Sequence, residues 1–507
     1  MTEKKKNKGF LNAIERVGNK LPHPIYIFMI LTLIVMIISA LLSGYTFKHP
    51  GTGETETINS LLSGEGIRWI VTNIVKNFSN FPPLGMVLVM MIGLGLAEET
   101  GLLRTFLKSF IVGSSKSLVT FIIVFAGVMG NIAGSSTFVV IPPLGALVFR
   151  ALDRNPLAGV AAGFAGVAAG LSANLLITPT DVLTSGITEK AAQIVSPGFE
   201  VHPAVNWYFM FISTFVLSIV GTIIIEKVVE PRLGKVKMNN VDETLNGEDL
   251  SVIKPEEKKG LRNVLITTII YIIIILFMLI PSNGILRDPE KGTIVPSPFL
   301  KGMITILLVW FIAIAVVYGI TTKSIKNSSD IERYMTKSMK GFAGFIVLCF
   351  FAAQFVEFFA YSNLGLLLSV RGAVRLESTG LVGIPLLLIF IIFTSLINFL
   401  IGSSSAKWAL LAPIFVPMFM QVNFSPALIQ VAYRIADSVT NCISPLEPFM
   451  PFIIILCKKY DEDSGLGTVV SMMLPLAGGF LLSWVLLLFA WYGLNLPLGP
   501  GAGLFLS

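Results

Sequence analysis

The 507-residue chain is 54% hydrophobic and only 13% charged, with a mean hydropathy of +0.80, which is far too apolar for a protein whose main solvent is water. Its formal charge of +7 falls in short loops between apolar segments, where membrane insertion explains it better than nucleic-acid binding does. Cys349, Cys442 and Cys457 lack CxxC spacing, and His23, His49 and His202 are scattered. Neither a disulfide framework nor a zinc site is expected.

A bilayer-crossing helix needs about 20 predominantly apolar residues. Such segments recur near 24–44, 83–103, 157–185, 206–227, 262–280, 299–320, 341–360, 426–457 and 472–494, which makes nine spans. The first follows a basic leader, 1–23, but is too long for a signal-peptide core and reads as a retained span. Two further apolar segments, 117–153 and 381–422, are about twice the length of a span. Each is interrupted midway by small polar residues, Gly134-Ser135-Ser136-Thr137 and Gly402-Ser403-Ser404-Ser405. Each reads as a hairpin that enters the membrane and turns back, with its turn shielded by protein or facing a watery cavity; two ordinary spans joined by a tight loop is the alternative. The expected organisation is a leader (1–23), a first membrane half (24–227), a polar cytoplasmic linker (228–261), a second half (262–494) and a C-terminal tail (495–507).

Lysine and arginine orient this scheme. With the N-terminus in the cytoplasm, the loops bearing Arg104 and Lys108, Arg150 and Arg154, Lys323 to Lys340, and Lys458 and Lys459 all fall inside, as does the linker. The loops assigned outside are poorer in basic residues, as the positive-inside rule requires.

The two halves resemble one another. Gly134-Ser135-Ser136 recurs as Gly402-Ser403-Ser404, Asn174 recurs as Asn441, and Pro179 as Pro445, at nearly one spacing. In this topology the first hairpin enters from the cytoplasm and the second from outside, so the repeat is inverted. Inverted repeats with interrupted helices are how many secondary transporters build a midplane site that opens alternately to each side.

The interrupted spans carry the chemistry. In the run Leu171 to Asp181, Asn174 is followed by Pro179 and Asp181; a proline inside a helix frees main-chain oxygens that can coordinate a cation. In the run Arg434 to Pro445, Arg434 and Asp437 are three apart and share a helix face, so they are expected to pair. An intramembrane ion pair marks a pathway by default, with a purely structural bridge as the alternative. Asp437 is a candidate proton relay, and Arg434 a candidate receptor for a substrate carboxylate. Asp181, near the outer end of its span, is either part of the pathway or simply solvated. Ser405 and Trp408 lie at the second hairpin's turn, with Trp408 placed to stack on a flat ligand ring or to pack. Gln354 and Glu357 are further buried polar candidates without an assigned role, and Glu447 is placed at a bend.

Several segments together resemble one family. They include Pro22-His23-Pro24, Ser172-Ala173-Asn174-Leu175-Leu176, Asn206-Trp207-Tyr208-Phe209-Met210, Glu230-Pro231-Arg232-Leu233-Gly234, Ala412-Pro413-Ile414-Phe415-Val416-Pro417-Met418 and Arg434-Ile435-Ala436-Asp437-Ser438. In order along nearly the whole chain, they look like the p-aminobenzoyl-glutamate transporter (AbgT) family. The resemblance implies an all-α membrane protein of nine spans and two re-entrant hairpins, like the ion-transporter superfamily, forming a homodimer in a bacterial inner membrane. It also implies import of p-aminobenzoyl-glutamate or export of sulfonamide antimetabolites and p-aminobenzoate. By the same resemblance Asp181, Ser405, Trp408, Arg434, Asp437 and Pro445 lie on the substrate and proton pathway. Gly134, Ser135, Ser136, Asn174, Gly402, Ser403, Ser404 and Asn441 form the hairpin tips and a candidate cation site, with Na+ near Asn174 and Asn441. Ser438-Val439-Thr440-Asn441 departs from the importer-like pattern and leaves export or sodium coupling open.

The expected function is therefore coupled transport of a small organic anion, driven by H+ or Na+, with no cofactor, no nucleic-acid partner and no enzymatic activity. An intramembrane hydrolase would need a base beside its nucleophile, and no histidine lies in a span. No GxxxxGK[ST] loop is present, which disfavours an ATP-driven pump. An anion channel built on the same hairpins is the rival of another class.

Overall fold

The computed structural model describes residues 24–48, 54–111, 118–134, 136–234, 253–295 and 297–506. The leader 1–23, the stretch 235–252 of the polar linker and Ser135 lie outside the described residues. Those described are mostly helical, because a chain in hydrocarbon must satisfy every backbone group within itself.

The first half comprises α1 (Pro24–Leu41), α2 (Gly64–Ser79), α3 (Pro82–Glu99), α4 (Leu102–Ile111), α5 (Val119–Gly130), α6 (Ser136–Ala151), α7 (Pro156–Phe164), α8 (Pro179–Ala192), α9 (Trp207–Ile224) and a short α10 (Glu230–Leu233). The second comprises α11 (Pro255–Leu279), a short α12 (Pro298–Lys301), α13 (Met303–Thr322), α14 (Ser328–Lys340), α15 (Ala343–Tyr361), α16 (Leu364–Ser378), α17 (Ile384–Ile397), α18 (Ser404–Gln421), α19 (Pro426–Asn441), α20 (Met450–Lys458) and α21 (Leu466–Gly493). Seven helices among the described residues are long and apolar enough to cross a membrane: Pro24–Leu41, Gly64–Glu99, Trp207–Leu233, Pro255–Leu279, Met303–Thr322, Ala343–Tyr361 and Leu466–Gly493. They expose apolar side chains that water would not tolerate as a continuous surface, such as Leu265 at 60% and Phe277 at 79%. The chain is a multi-pass membrane protein.

Both double-length segments fold as helix, turn and helix. In the first, α5 runs into a short 3-10 turn, Asn131–Ala133, and reverses at Gly134 before α6. Gly134 has φ +57°, a conformation that costs an L-residue roughly 1–2 kcal/mol and that glycine adopts freely. In the second, α17 ends at Ile397 and α18 begins at Ser404, whose N-cap Ser403 accepts from the Ala406 amide. The spans expected at 157–185 and 426–457 are each broken. After α7 a π-helical turn, Ala165–Ala169, gives way to irregular chain until α8, and residues 442–449 separate α19 from α20.

Glycine sets how closely these pieces pack. A Cβ on Gly159 would lie 2.3 Å from the Gly145 carbonyl oxygen, and one on Gly145 would lie 2.4 Å from that of Gly159, so α6 and α7 meet backbone to backbone. The second hairpin sits between halves: α18 packs on α8 and α16, while α17 packs on α19. Phe138 of the first hairpin stacks on Phe449, just past the second break, with centroids 4.4 Å apart.

Five elements were not foreseen. Thr46–Lys48 and Thr55–Thr57 form an antiparallel pair, and α2, α14 and α16 are helices too polar to read as spans. Asn327 and Asp330 form a reciprocal cap that starts α14 without any apolar run. Within the C-terminal tail, residues 495–506 are docked on the rest of the chain. Leu498 and Leu504 are buried, and Ser425 donates its hydroxyl to the Gly503 carbonyl at 2.7 Å.

Candidate functional site

The irregular chain between α7 and α8 leaves carbonyls without helical partners, and side chains from other elements take them up. Asn131 Nδ2 donates to the Gly170 carbonyl at 3.3 Å, Arg434 Nη2 to that of Ser172 at 2.8 Å, and Trp207 Nε1 to that of Leu175 at 2.9 Å. Pro179 is not the cause of the break. It occupies the first turn of α8, where its missing N–H costs nothing. Thr178 caps that helix, and its amide and hydroxyl both donate to Asp181 Oδ2, at 2.6 and 2.7 Å.

That cap aims the other Asp181 oxygen at Arg434. Asp181 Oδ1 lies 2.6 Å from Arg434 Nη1, and both side chains are buried. Two open readings are decided here. Asp181 is not solvated at the end of a span, because it opens a new helix inside the protein. Arg434 does not pair with Asp437, its neighbour one turn along, because the tertiary fold brings a carboxylate from the other half closer. Arg434 Nε and the hydroxyls of Ser172 and Ser438 are buried and make no hydrogen bond among the described residues, so the guanidinium holds a donor in reserve beside its ion pair.

Asp437 pairs instead with Lys407, whose Nζ lies 2.6 Å from Asp437 Oδ1, with both side chains at 1% exposure or less. Ser404, the first residue of α18, donates to Asp437 Oδ2 at 2.6 Å, and Tyr433 donates to the Ser404 carbonyl at 2.6 Å. Lys407 also contacts Asn398 Oδ1. The Asn398 amide faces the Asp437 carbonyl at 3.0 Å, Thr440 Oγ1 at 2.6 Å and Asn441 Oδ1 at 2.8 Å. One connected network thus clamps the second hairpin turn to the end of α19. Gly402 makes the approach possible, since a Cβ there would lie 2.6 Å from the Leu446 carbonyl oxygen. Pro445 stands in that same non-helical stretch, and Glu447 beside it is buried.

The other predicted residues are placed as follows. Trp408 is fully buried, stacked on Tyr433 with centroids 4.3 Å apart, and donates to Thr188 Oγ1 at 3.0 Å. One face is therefore covered, and in this conformation packing is what the ring does. Ser403 and Ser405 hydroxyls are 3.2 Å apart at the turn. Asn174 Nδ2 donates to the Val128 and Met129 carbonyls, each at 3.2 Å, and its Oδ1 accepts from the Leu176 amide at 3.0 Å. Asn174 and Asn441 are not brought to one point; each serves its own hairpin. Both oxygens already hold an N–H, and no cluster of three or more His, Cys, Asp or Glu suited to a metal occurs among the described residues.

Lys407, Asn398, Asn131 and Tyr433 are the residues that sequence reasoning left without roles. Lys407 carried a signal, as a charge within an apolar hairpin. The asparagines carried one too, standing three and four residues before the tip glycines. Gln354 and Glu357 lie elsewhere: Gln354 bonds Asn77 at 3.0 Å, and Glu357 meets Lys190 at 2.7 Å.

Hairpins, broken helices and buried acid–cation pairs define a polytopic membrane protein of transporter architecture. Residues 9–506 match the model of the AbgT transporter family, and the chain belongs to that family. It is 41% identical over 490 residues to the p-aminobenzoyl-glutamate transport protein of Escherichia coli K12, covering 96% of this chain and 95% of that one. Among solved structures it is similar to the YdaH transporter of Alcanivorax borkumensis, with TM-score 0.89 and 38% identity over 94% of this chain and all of that one. It is also similar to MtrF of Neisseria gonorrhoeae, described among antimetabolite efflux pumps, with TM-score 0.92 and 41% identity over 97% of this chain and all of that one.

Proposed function

We propose that this protein is an ion-coupled secondary transporter of p-aminobenzoyl-glutamate or related p-aminobenzoate-type anions, acting as a homodimer in a bacterial inner membrane with its N-terminus in the cytoplasm. The relationship to the E. coli protein supports the substrate class. The seven long helices, with the two broken pairs α7/α8 and α19/α20, make nine spans beside two hairpins. Matching contacts support reading the halves as an inverted repeat. Asn131 donates to the Gly170 carbonyl as Asn398 donates to the Asp437 carbonyl.

The observation that carries the proposal is the pair of buried ion pairs at the helix breaks, Asp181–Arg434 and Asp437–Lys407. Charges are expensive to bury away from water and mark a path for ions or substrate. Arg434, with an unused donor, receives a substrate carboxylate, and Asp437 takes up and releases the coupling proton. H+ is taken as the coupling ion over Na+ because Asp437 offers a carboxylate to carry it, whereas Asn174 and Asn441 offer sodium only neutral oxygens that each already hold one N–H.

Flux of labelled p-aminobenzoyl-glutamate in proteoliposomes under imposed proton or sodium gradients tests this. Uphill movement on a proton gradient is expected, and gradient-independent flux at channel rates would refute the transporter reading. Asp437→Ala is expected to abolish coupling, and a variant that still couples would make the acid structural. A second reading, proton-driven efflux of sulfonamide antimetabolites, draws on the likeness to MtrF, and sulfonamides competing in the same assay would favour it.

A further inference from the structure

We infer that Lys407 is a receptor for a substrate carboxylate, held closed by Asp437 and released when Asp437 takes up a proton. This deepens the transport reading and rests on it.

Lys407 is wholly enclosed, and its ammonium carries three N–H donors. Asp437 and Asn398 are its acceptors, so one donor remains for a ligand. The pair is not a general requirement of these hairpins. Counted from the tip glycines, the residue matching Lys407 in the first hairpin is Val139, which is 40% exposed. The carbonyl that Asn131 reaches belongs to Gly170, where Asn398 reaches that of Asp437. Among the described residues only the second hairpin has an acid and a cation meeting at its turn, and Ser404 and Lys407, both on α18, grip the same carboxylate.

Net charge then restricts which states can move. Empty, Lys407 and Asp437 sum to zero. A substrate carboxylate added alone leaves a net negative charge in the interior, and a proton added alone leaves an unpaired ammonium; either is strongly disfavoured. Proton and carboxylate together restore neutrality. In that step an O–H bond forms on Asp437, the Lys407–Asp437 contact opens, and the ammonium turns to the incoming carboxylate; release reverses it. Glu447 from the 442–449 bend and Tyr433 from α19 are the other ionisable groups whose fields reach this pair. Arg434 lies one turn from Asp437 on α19, already paired with Asp181; a second carboxylate of a glutamyl group at Arg434 therefore brings, by the same balance, a second proton or cation with it. One proton is taken up per carboxylate bound at Lys407.

The test is equilibrium binding of labelled p-aminobenzoyl-glutamate to the purified full-length protein in weakly buffered solution, with a pH dye reporting proton uptake. Wild type is expected to take up protons on binding. Lys407→Gln is expected to weaken binding about 10- to 100-fold and to lose the preference over p-aminobenzoate, with Lys407→Arg restoring much of both. Asp437→Asn leaves the ammonium uncovered and is expected to bind at alkaline pH with proton uptake diminished by one equivalent. Wild-type affinity and proton uptake in Lys407→Gln would overturn the role of Lys407 while leaving transport intact. Should Lys407→Gln fail to fold, the double variant Lys407→Gln/Asp437→Asn removes both charges together, and wild-type dicarboxylate preference and proton uptake there would overturn it as well. No counterflow of any p-aminobenzoyl compound by wild type would instead sink the transport reading itself.

Discussion

Arg434 Nη1 sits 2.6 Å from Asp181 Oδ1, joining α19 of one half to the first turn of α8 in the other. Neither carboxylate nor guanidinium has water to fall back on, so each is stable only because the other is there.

Removing one member should cost far more than removing both. Asp181→Asn or Arg434→Gln alone is expected to destabilise the folded protein by roughly 3–5 kcal/mol, since an uncompensated buried charge remains, and the double variant by much less than the sum. Unfolding of the detergent-solubilised variants measures the coupling. Additive losses would mean the two charges do not see each other.

Gly402→Ala tests the seat of the second hairpin. Its Cβ would meet the Leu446 carbonyl oxygen at 2.6 Å, whereas a Cβ on Gly85 in α3 meets nothing within 4 Å. Counterflow is expected to drop at least about tenfold in Gly402→Ala, since even a small misplacement of binding groups is costly. Gly85→Ala should stabilise its helix by about 0.5–1 kcal/mol. Equal behaviour of the two variants would show that the turn has room to spare.

Packing of the first hairpin rests on Gly145 and Gly159. Alanine at either is expected to destabilise the protein by about 1–3 kcal/mol through overpacking, because the obstructing atom is backbone and cannot swing aside. A lowered melting temperature in these two variants, against a raised one in Gly85→Ala, is the expected pattern.

The docked C-terminal segment should loosen in acid. His202 Nε2 lies 2.9 Å from the Pro500 carbonyl oxygen, while Nδ1 is buried without a partner. Burial lowers the His202 pKa below the ordinary 6.5, against the opposing pulls of the Pro500 carbonyl and Glu200. The folded state thus binds its proton less readily than the unfolded one. Its contribution is complete above about pH 6.5 and is lost as pH falls through the lowered folded value. Protection against hydrogen exchange across 498–506, taken relative to the intrinsic rate at each pH, should fall between pH 7.5 and 5.5 in wild type, and change less in His202→Gln. The same loss of protection in both would place the titration elsewhere.

Much of this protein can be read before folding is considered. Apolar run length marks the spans because hydrocarbon thickness sets a minimum, and Gly134 and Gly402 mark the turns because small polar residues interrupt otherwise unbroken hydrophobic segments. Asp181, Arg434 and Asp437 announce themselves as charges where charges are costly. Their pairing does not, because local spacing favours Arg434 with Asp437 while the fold chooses partners by distance in space. Lys407 takes Asp437 from across the hairpin, and Asp181 takes Arg434 from the other half. Trp408 is likewise recognisable as a large ring near a turn, but only the tertiary structure decides that Tyr433 covers one of its faces. The amino-acid order alone thus determined which segments enter the bilayer and where they break, since those depend on neighbours along the chain; which charge faces which depended on contacts between distant segments.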